Sequence, residues 1–283
     1  MSQSWSWASD YKSIRVGRSS ARADVAEVTL LGPGKGNAMG PDFWREVPEA
    51  FERLDMEESL RAIVVYGQGG NFSYGLDLMA MMGSLGPMLA GPQMAPERTK
   101  LRQLVLDMQR SFNRITSCRT PVIAAVAGWC IGGGLDLIAA CDVRLCSADA
   151  RFSLREVKVA MVADLGSLQR LPAIIGEGNT RELAFTGKNI DAQRALRIGL
   201  VGDVYENEAA LLEAARTLAG EIADNPPIVV QGIKHVMNER IESEVATGLR
   251  NVALWNSAFL QSADLGEAVA AFGERRPPKF TGK

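Results

Sequence analysis

Three consecutive glycines, Gly132, Gly133 and Gly134, stand between two apolar runs, Val122–Val126 before them and residues 135–140 after them. The first run has the length and β-branched content of a buried strand, and the second reads as the start of a buried helix. A strand that feeds a helix through a glycine turn is a unit of a layered α/β fold. Glycines at such a junction leave backbone N–H groups bare, and the helix dipole adds positive character there. The turn therefore suits an anion, or a carbonyl oxygen that becomes anionic in a transition state. Asp136 falls in the first turn of the helix, and Glu156 and Asp164 follow soon after. Oxyanion donors beside several carboxylates point to proton transfer next to a polarised carbonyl.

The pattern around this junction divides the chain in two. Residues 25–31, 62–66 and 143–146 read as further strands, whereas 42–54 and 101–115 have helical periodicity. In the second of these helices Leu101, Leu104, Val105, Met108, Phe112 and Ile115 make one apolar stripe. Beyond about residue 190 the strand signal fades, and segments 192–199, 208–223, 227–237 and 243–261 read as helices. The expected organisation is an α/β core over 1–195 followed by a helical region over 196–283. Residues 79–100, rich in Met, Gly and Pro, read as a long loop. Such a loop is either a lid whose methionines line an apolar pocket or an insertion without contacts.

Composition excludes several classes. A net charge of −2 gives no electrostatic footprint for nucleic acid or an anionic membrane, and no apolar run is long enough to span a bilayer. Cys118, Cys130, Cys141 and Cys146 lack metal-ligand spacing, and the sole histidine, His235, is far from them, so neither zinc nor a disulfide framework is expected. One histidine also argues against a nucleophile–base triad; a surface or packing role suits His235 better. The first residues carry no signal-peptide blocks and the last are no peroxisomal address, so the cytoplasm is the expected compartment. The P-loop and dinucleotide-binding spacings are both absent.

Several motifs, in order, resemble one family. They are Gly36-Asn37-Ala38-Met39, then residues 71–78 (N-F-S-Y-G-L-D-L), then Pro121 to Val126 running into the triple glycine, then Cys141-Asp142-Val143-Arg144, and the ending 271–280 (A-F-G-E-R-R-P-P-K-F). Over nearly its full length the chain resembles the crotonase, or enoyl-CoA hydratase/isomerase, superfamily. The resemblance implies a spiral of β-β-α units with a helical C-terminal trimerisation region. It also implies a homotrimer or homohexamer, and an acyl-CoA thioester as substrate, with coenzyme A arriving on the substrate and no separate cofactor. By motif position, the oxyanion-hole N–H groups belong to Leu76 and Gly133. Lys35, Gly36 and Asn37, with Lys279 and Phe280 near the end, match positions that reach coenzyme A.

The carboxylates separate the subfamilies. Hydratases carry two glutamates, at the positions of Asp136 and Glu156; here the first is an aspartate, and Asp164 stands where they have glycine. The segment 155–172, with 43–46 and Leu254-Trp255-Asn256, resembles the Δ3,5-Δ2,4-dienoyl-CoA isomerases. Moving two conjugated double bonds toward the thioester needs proton removal at C2 and delivery at C6. Glu156 and Asp164 are the candidate acid/base pair, in either assignment, with Asp136 orienting one of them or a water. Apolar neighbours Val157, Val159, Met161 and Val162 are expected to desolvate the acids and raise their pKa values. The expected function is thus dienoyl-CoA isomerisation in fatty-acid β-oxidation, with enoyl-CoA hydration as the alternative.

Overall fold

The computed structural model describes residues 5–32, 36–89 and 94–283. Five of the six strands of its main sheet run parallel, and the apolar runs of the sequence supply its centre. In chain order the elements begin β1 (Ile14–Arg18), β2 (Val25–Leu30), α1 (Pro41–Met56), β3 (Ala62–Gly67), α2 (Leu78–Leu89) and α3 (Ala95–Ser117). There follow β4 (Val122–Val126), β5 (Trp129–Ile131), α4 (Gly133–Ala140), β6 (Val143–Ser147), β7 (Arg151–Ser153) and a 3-10 turn over Glu156–Val159. The chain ends with α5 (Ser167–Thr186), β8 (Ile190–Asp191), α6 (Ala192–Arg197), β9 (Val204–Tyr205), α7 (Glu208–Ala223), α8 (Pro227–Phe259) and α9 (Ala263–Gly273).

The main sheet has the order β1-β2-β3-β4-β6-β9, antiparallel at β1–β2 and parallel elsewhere. A second sheet, β5-β7-β8, stands beside it. The repeats β4-β5-α4 and β6-β7 followed by α5 give the spiral of β-β-α units: one strand of each pair joins the main sheet and the next joins the small one. Central strands are buried on both faces, as parallel strands require. Ile63, Val65, Ala124 and Val126 enter the large core with α1, α3 and α4, while Ala62, Val64, Ile123 and Ala125 face Leu211, Ala215 and Ala219 of α7.

Three expectations need correction. Residues 79–100 do not form a loop. Helix α2 takes up Leu78–Leu89 and α3 begins at Ala95, with residues 90–93 outside the described set. Methionine and leucine are good helix formers; Gly83 of α2 sits in open space, and a Cβ at Gly86 would only touch the Met82 methyl at 3.6 Å. Strands also persist beyond residue 190: β8 and β9 are two residues each, too short to leave a period-2 signal. Because β9 joins the main sheet and α7 covers it, residues 204–223 belong to the sheet layers. Segments 227–237 and 243–261 are one helix, α8, since no glycine or proline interrupts the chain between Gly232 and Gly248.

Candidate active site

Two loops meet at the glycine turn. Gly132 takes φ 52° and ψ −118° just before α4, a conformation open to glycine. Gly75, at φ +80°, is pressed so closely against this turn that a Cβ there would lie 2.7 Å from the Ile131 carbonyl oxygen and 2.9 Å from the Gly133 nitrogen. The 75–77 loop is anchored by Met39, whose N–H donates to the Gly75 carbonyl at 2.8 Å and whose carbonyl accepts from Asp77 N–H at 3.0 Å. Parallel pairing of this kind uses the groups on either side of Leu76 and leaves its own N–H unused. Among the described residues neither Leu76 N–H nor Gly133 N–H, at the first position of α4, has an acceptor. The two expected oxyanion donors are thus brought side by side and left free.

The three expected acids converge on the same place. Asp136, in the first turn of α4, is 1% exposed; its Oδ1 accepts from the Ser167 backbone N–H at 2.6 Å, while Oδ2 is buried without a partner. Glu156 starts the 3-10 turn, with one carboxylate oxygen 3.1 Å from where a Gly132 Cβ would stand and the other buried and unpartnered. Asp164 accepts at Oδ2 from Asn256 Nδ2 of α8 at 2.7 Å.

Burial is the main cause of their altered acidity. It pushes Asp136 up to about 6 against the Ser167 hydrogen bond and the Arg170 charge. Asp164 is pushed up to about 7, by burial first, with the Asn256 hydrogen bond opposing and the Asp136 charge adding. Glu156 goes well above the carboxylate range, through burial and then the charges of Asp136 and Asp164. Raised, mutually interacting carboxylates can exchange protons near neutrality, and they titrate as a set. The expected source of desolvation is partly wrong: Val157 and Val162 are 36% and 37% exposed, and the glycine turn and the core beneath it exclude the water instead.

Other expected residues fare differently. Lys35 lies outside the described residues. Gly36 packs its bare backbone on the Tyr74 ring, and Asn37, at φ 52°, turns its amide inward to the carbonyls of Gln68, Asn71 and Phe72. The Asn37 side chain is therefore a brace between loops, not a free ligand group. Lys279 and Phe280 lie in a tail folded over α9, where Lys279 N–H donates to Glu267 at 2.7 Å. Nothing among the described residues joins that tail to Gly36. His235 is exposed beside Glu239, far from the acids in its contacts. No group of three or more His, Cys, Asp or Glu among the described residues is arranged for a metal, and no described helix is long and apolar enough to cross a membrane.

Three supporting residues were given no role from sequence. Gln109 of α3 donates to the Asp164 carbonyl at 2.7 Å, Asn256 braces both the Asp164 side chain and the Val162 carbonyl, and Arg170 is buried beside Asp136. Gln109 and Asn256 share a signal: each is an amide on an otherwise apolar helix face, Gln109 between Val105 and Phe112, Asn256 after Leu249 and Val252. Buried amides need partners, so such positions point to a polar neighbour across the interface.

Residues 20–283 match the family model described as Enoyl-CoA hydratase/isomerase. A protein of Dictyostelium discoideum named Delta(3,5)-Delta(2,4)-dienoyl-CoA isomerase, mitochondrial, is 40% identical over 96% of this chain and 92% of its own length. An Arabidopsis thaliana protein of the same name, but peroxisomal, is 40% identical over 95% of this chain and 97% of its own. Among solved structures, an enoyl-CoA hydratase/isomerase from Pseudoalteromonas atlantica T6c superposes with a TM-score of 0.81 at 27% identity, covering 95% of this chain and all of that one.

Proposed function

The chain belongs to the enoyl-CoA hydratase/isomerase family, and from that premise we propose that it is an isomerase converting 3,5-dienoyl-CoA to 2,4-dienoyl-CoA in fatty-acid β-oxidation. The observation that carries this reading is the third acid, half-buried and held beside the other two. Asp164 stands beside the Asp136 and Glu156 carboxylates, braced by Asn256 and raised to about 7. Water addition uses two acids; a proton shift across a diene uses separated groups at both ends.

In the proposed mechanism the thioester oxygen sits between the N–H groups of Leu76 and Gly133. One of Glu156 and Asp164 removes a proton from C2, and the electron pair spreads over the thioester oxygen, C4 and C6. The other acid delivers a proton to C6, leaving double bonds at C2 and C4. One proton is taken and one is given, so the step is redox-neutral and asks for no cofactor beyond the coenzyme A of the substrate. Asp136 contributes a fixed negative field that favours protonation of its two neighbours. The Gly36 loop and the Lys279–Phe280 tail are proposed contacts for coenzyme A, with Lys35 the proposed phosphate partner.

Exposed apolar side chains on α8 and α9, among them Ile228, Ile233, Phe259 and Phe272, support assembly as a homotrimer or homohexamer. Light scattering on the purified chain tests this. The relatives named above are mitochondrial and peroxisomal; imaging of a tagged full chain sets the cytoplasmic expectation against them.

The deciding experiment gives the protein 3,5-dienoyl-CoA and follows the absorbance of the conjugated 2,4-product, with Asp164→Asn in parallel. A fast rise with the wild type and near-silence with the variant is expected. No rise, with turnover of crotonyl-CoA in the same preparation, overturns the reading in favour of hydration.

A further inference from the structure

Four buried polar atoms of Asp136 and of the first turn of α5, whose Ser167 N–H holds the Asp136 carboxylate, have no hydrogen-bond partner among the described residues: Asp136 Oδ2, Ser167 Oγ, and Nε and Nη1 of Arg170. Arg170 lies in the first turn of α5 and is 4% exposed. Its guanidinium folds back along the helix over Gly166, where a Cβ would come 1.8 Å from Nη1 and 3.1 Å from Cζ. Gly166, at φ +132°, thus leaves the space the guanidinium occupies. Nη2 is tied to Asn113 Oδ1 of α3 at 2.7 Å. Ser167, in the same turn, holds Asp136 Oδ1 through its backbone N–H at 2.6 Å. A buried guanidinium with unpaired N–H groups is costly unless a charge faces it, and the carboxylate acting on it here is Asp136.

We propose that Arg170 is a positioning residue for the proton shift. It is the buried counter-charge that keeps Asp136 ionised, and ionised Asp136 in turn keeps the exchangeable proton on Glu156 and Asp164. This rests on the isomerase reading for its effect on turnover, though not for its effect on Asp136 itself.

Apart from Glu156 and Asp164 themselves, the groups facing Asp136 and Arg170 supply no competing charge. The groups facing this set are Asp136 and Cys141 at the two ends of α4, Cys130 of β5, Ser167 and Arg170 of α5, Asn113 and Gln109 of α3, Glu156, Asp164 and Asn256 of α8. Burial pushes Cys141 up to about 12 and Cys130 well above the thiol range, so both stay neutral. Burial also lowers Arg170 to about 10, which leaves it cationic at neutral pH. Removing the guanidinium would raise Asp136, which then takes a proton. Neutral Asp136 no longer raises Glu156 and Asp164, so their pKa values fall. The protonated acid needed at one end of the diene is then lost at a lower pH.

The test measures kcat and KM against pH for the wild type, Arg170→Met, Arg170→Lys, Asp136→Asn and the Asp136→Asn/Arg170→Met double variant, with 3,5-dienoyl-CoA as substrate. Arg170→Met is expected to move the alkaline limb of kcat down by about one pH unit, with KM within about twofold. Arg170→Lys should recover most of that displacement. In the Asp136→Asn background the methionine should cause no further displacement. An unmoved limb in folded Arg170→Met, or the same displacement in both backgrounds, overturns the proposal. Carbon-13 NMR titration of labelled aspartate carboxyls is run beside it, and Asp136 should titrate at higher pH in Arg170→Met. If the wild type fails on 3,5-dienoyl-CoA, the isomerase reading falls, and this titration alone decides for or against Arg170. Should the methionine variant not fold, Arg170→Lys and Asn113→Ala carry the titration. A smaller shift in the same direction supports the proposal, and an unmoved Asp136 overturns it.

Discussion

The glycine cradle offers backbone N–H groups that no pH change can titrate, whereas the neighbouring acid cluster consists of three side chains whose charge depends on everything around them. Leu76 and Gly133 are placed by close backbone contact, with Gly75 wedged against the turn before α4. Asp136 and Asp164 are held by hydrogen bonds from Ser167 and Asn256, Glu156 by the 3-10 turn it starts, and the three share an electrostatic field. The first half of the site is set by local geometry. The second is set by residues brought from α3, α5 and α8. Under the proposed mechanism the cradle should therefore fail without changing the pH dependence, while the cluster should fail, or shift, with pH.

The largest expected effects fall on the cluster. Glu156→Gln and Asp164→Asn each keep the shape and remove a titratable proton, so each should cost about a thousandfold in kcat on 3,5-dienoyl-CoA. If either retains wild-type turnover, that acid is no member of the pair. On the cradle, Gly75→Ala adds a methyl against Ile131 and Gly133 and displaces a donor loop. A loss of about a hundredfold is expected, with an unchanged pH profile. A shifted profile in Gly75→Ala would break the contrast between the halves.

The same contrast explains what was legible in the sequence. Strands β3 and β4 were legible because both faces are buried and their apolar runs are nearly unbroken, and β2 and β6 because β-branched and apolar residues still dominate around Glu27, Thr29 and Arg144. The cradle was legible because three glycines in a row mark a backbone that is approached closely, as at Gly134, where a Cβ would lie 2.9 Å from the Ser73 carbonyl oxygen, and the acids lie close to it in sequence. Helix α2 was hidden by glycines and Pro87 that usually signal a loop, and α8 looked like two helices because its polar middle has no apolar stripe. The partners that tune the acids were not legible as such. Asn256 is 92 residues from Asp164, and nothing local to Arg170 announces that its guanidinium is buried. Chemistry read from composition arrives without its surroundings; the surroundings fix the pKa.

Those surroundings carry a cost in stability. Asp164 is raised in the folded protein from about 3.8 to about 7. A raised carboxylate contributes stability that is fully present below its unfolded pKa and is lost as pH rises through the folded one. The loss should therefore develop between about pH 4 and pH 7. Asp164→Asn, which never ionises, is expected to be about 4 kcal/mol more stable than the wild type at pH 8 and nearly equal to it at pH 4. Denaturant unfolding at the two pH values measures the difference. An equal gain at both would mean that the aspartate is strained rather than desolvated.

The smallest effect should be the most discriminating. Asn256 donates to the Asp164 carboxylate and favours its ionised form. Asn256→Ala removes that donor, so Asp164 rises further and the limb of kcat that follows it moves to higher pH, by about half a unit. The change in kcat at neutral pH should stay below about tenfold, because the acid itself remains. The direction matters more than the size, since Arg170→Met is expected to move the alkaline limb the other way. Two buried substitutions that merely loosened the core would lower activity alike at every pH. Opposite displacements from α5 and α8 would instead mean that the cluster reads the sign of each neighbour's interaction, which a backbone cradle cannot do.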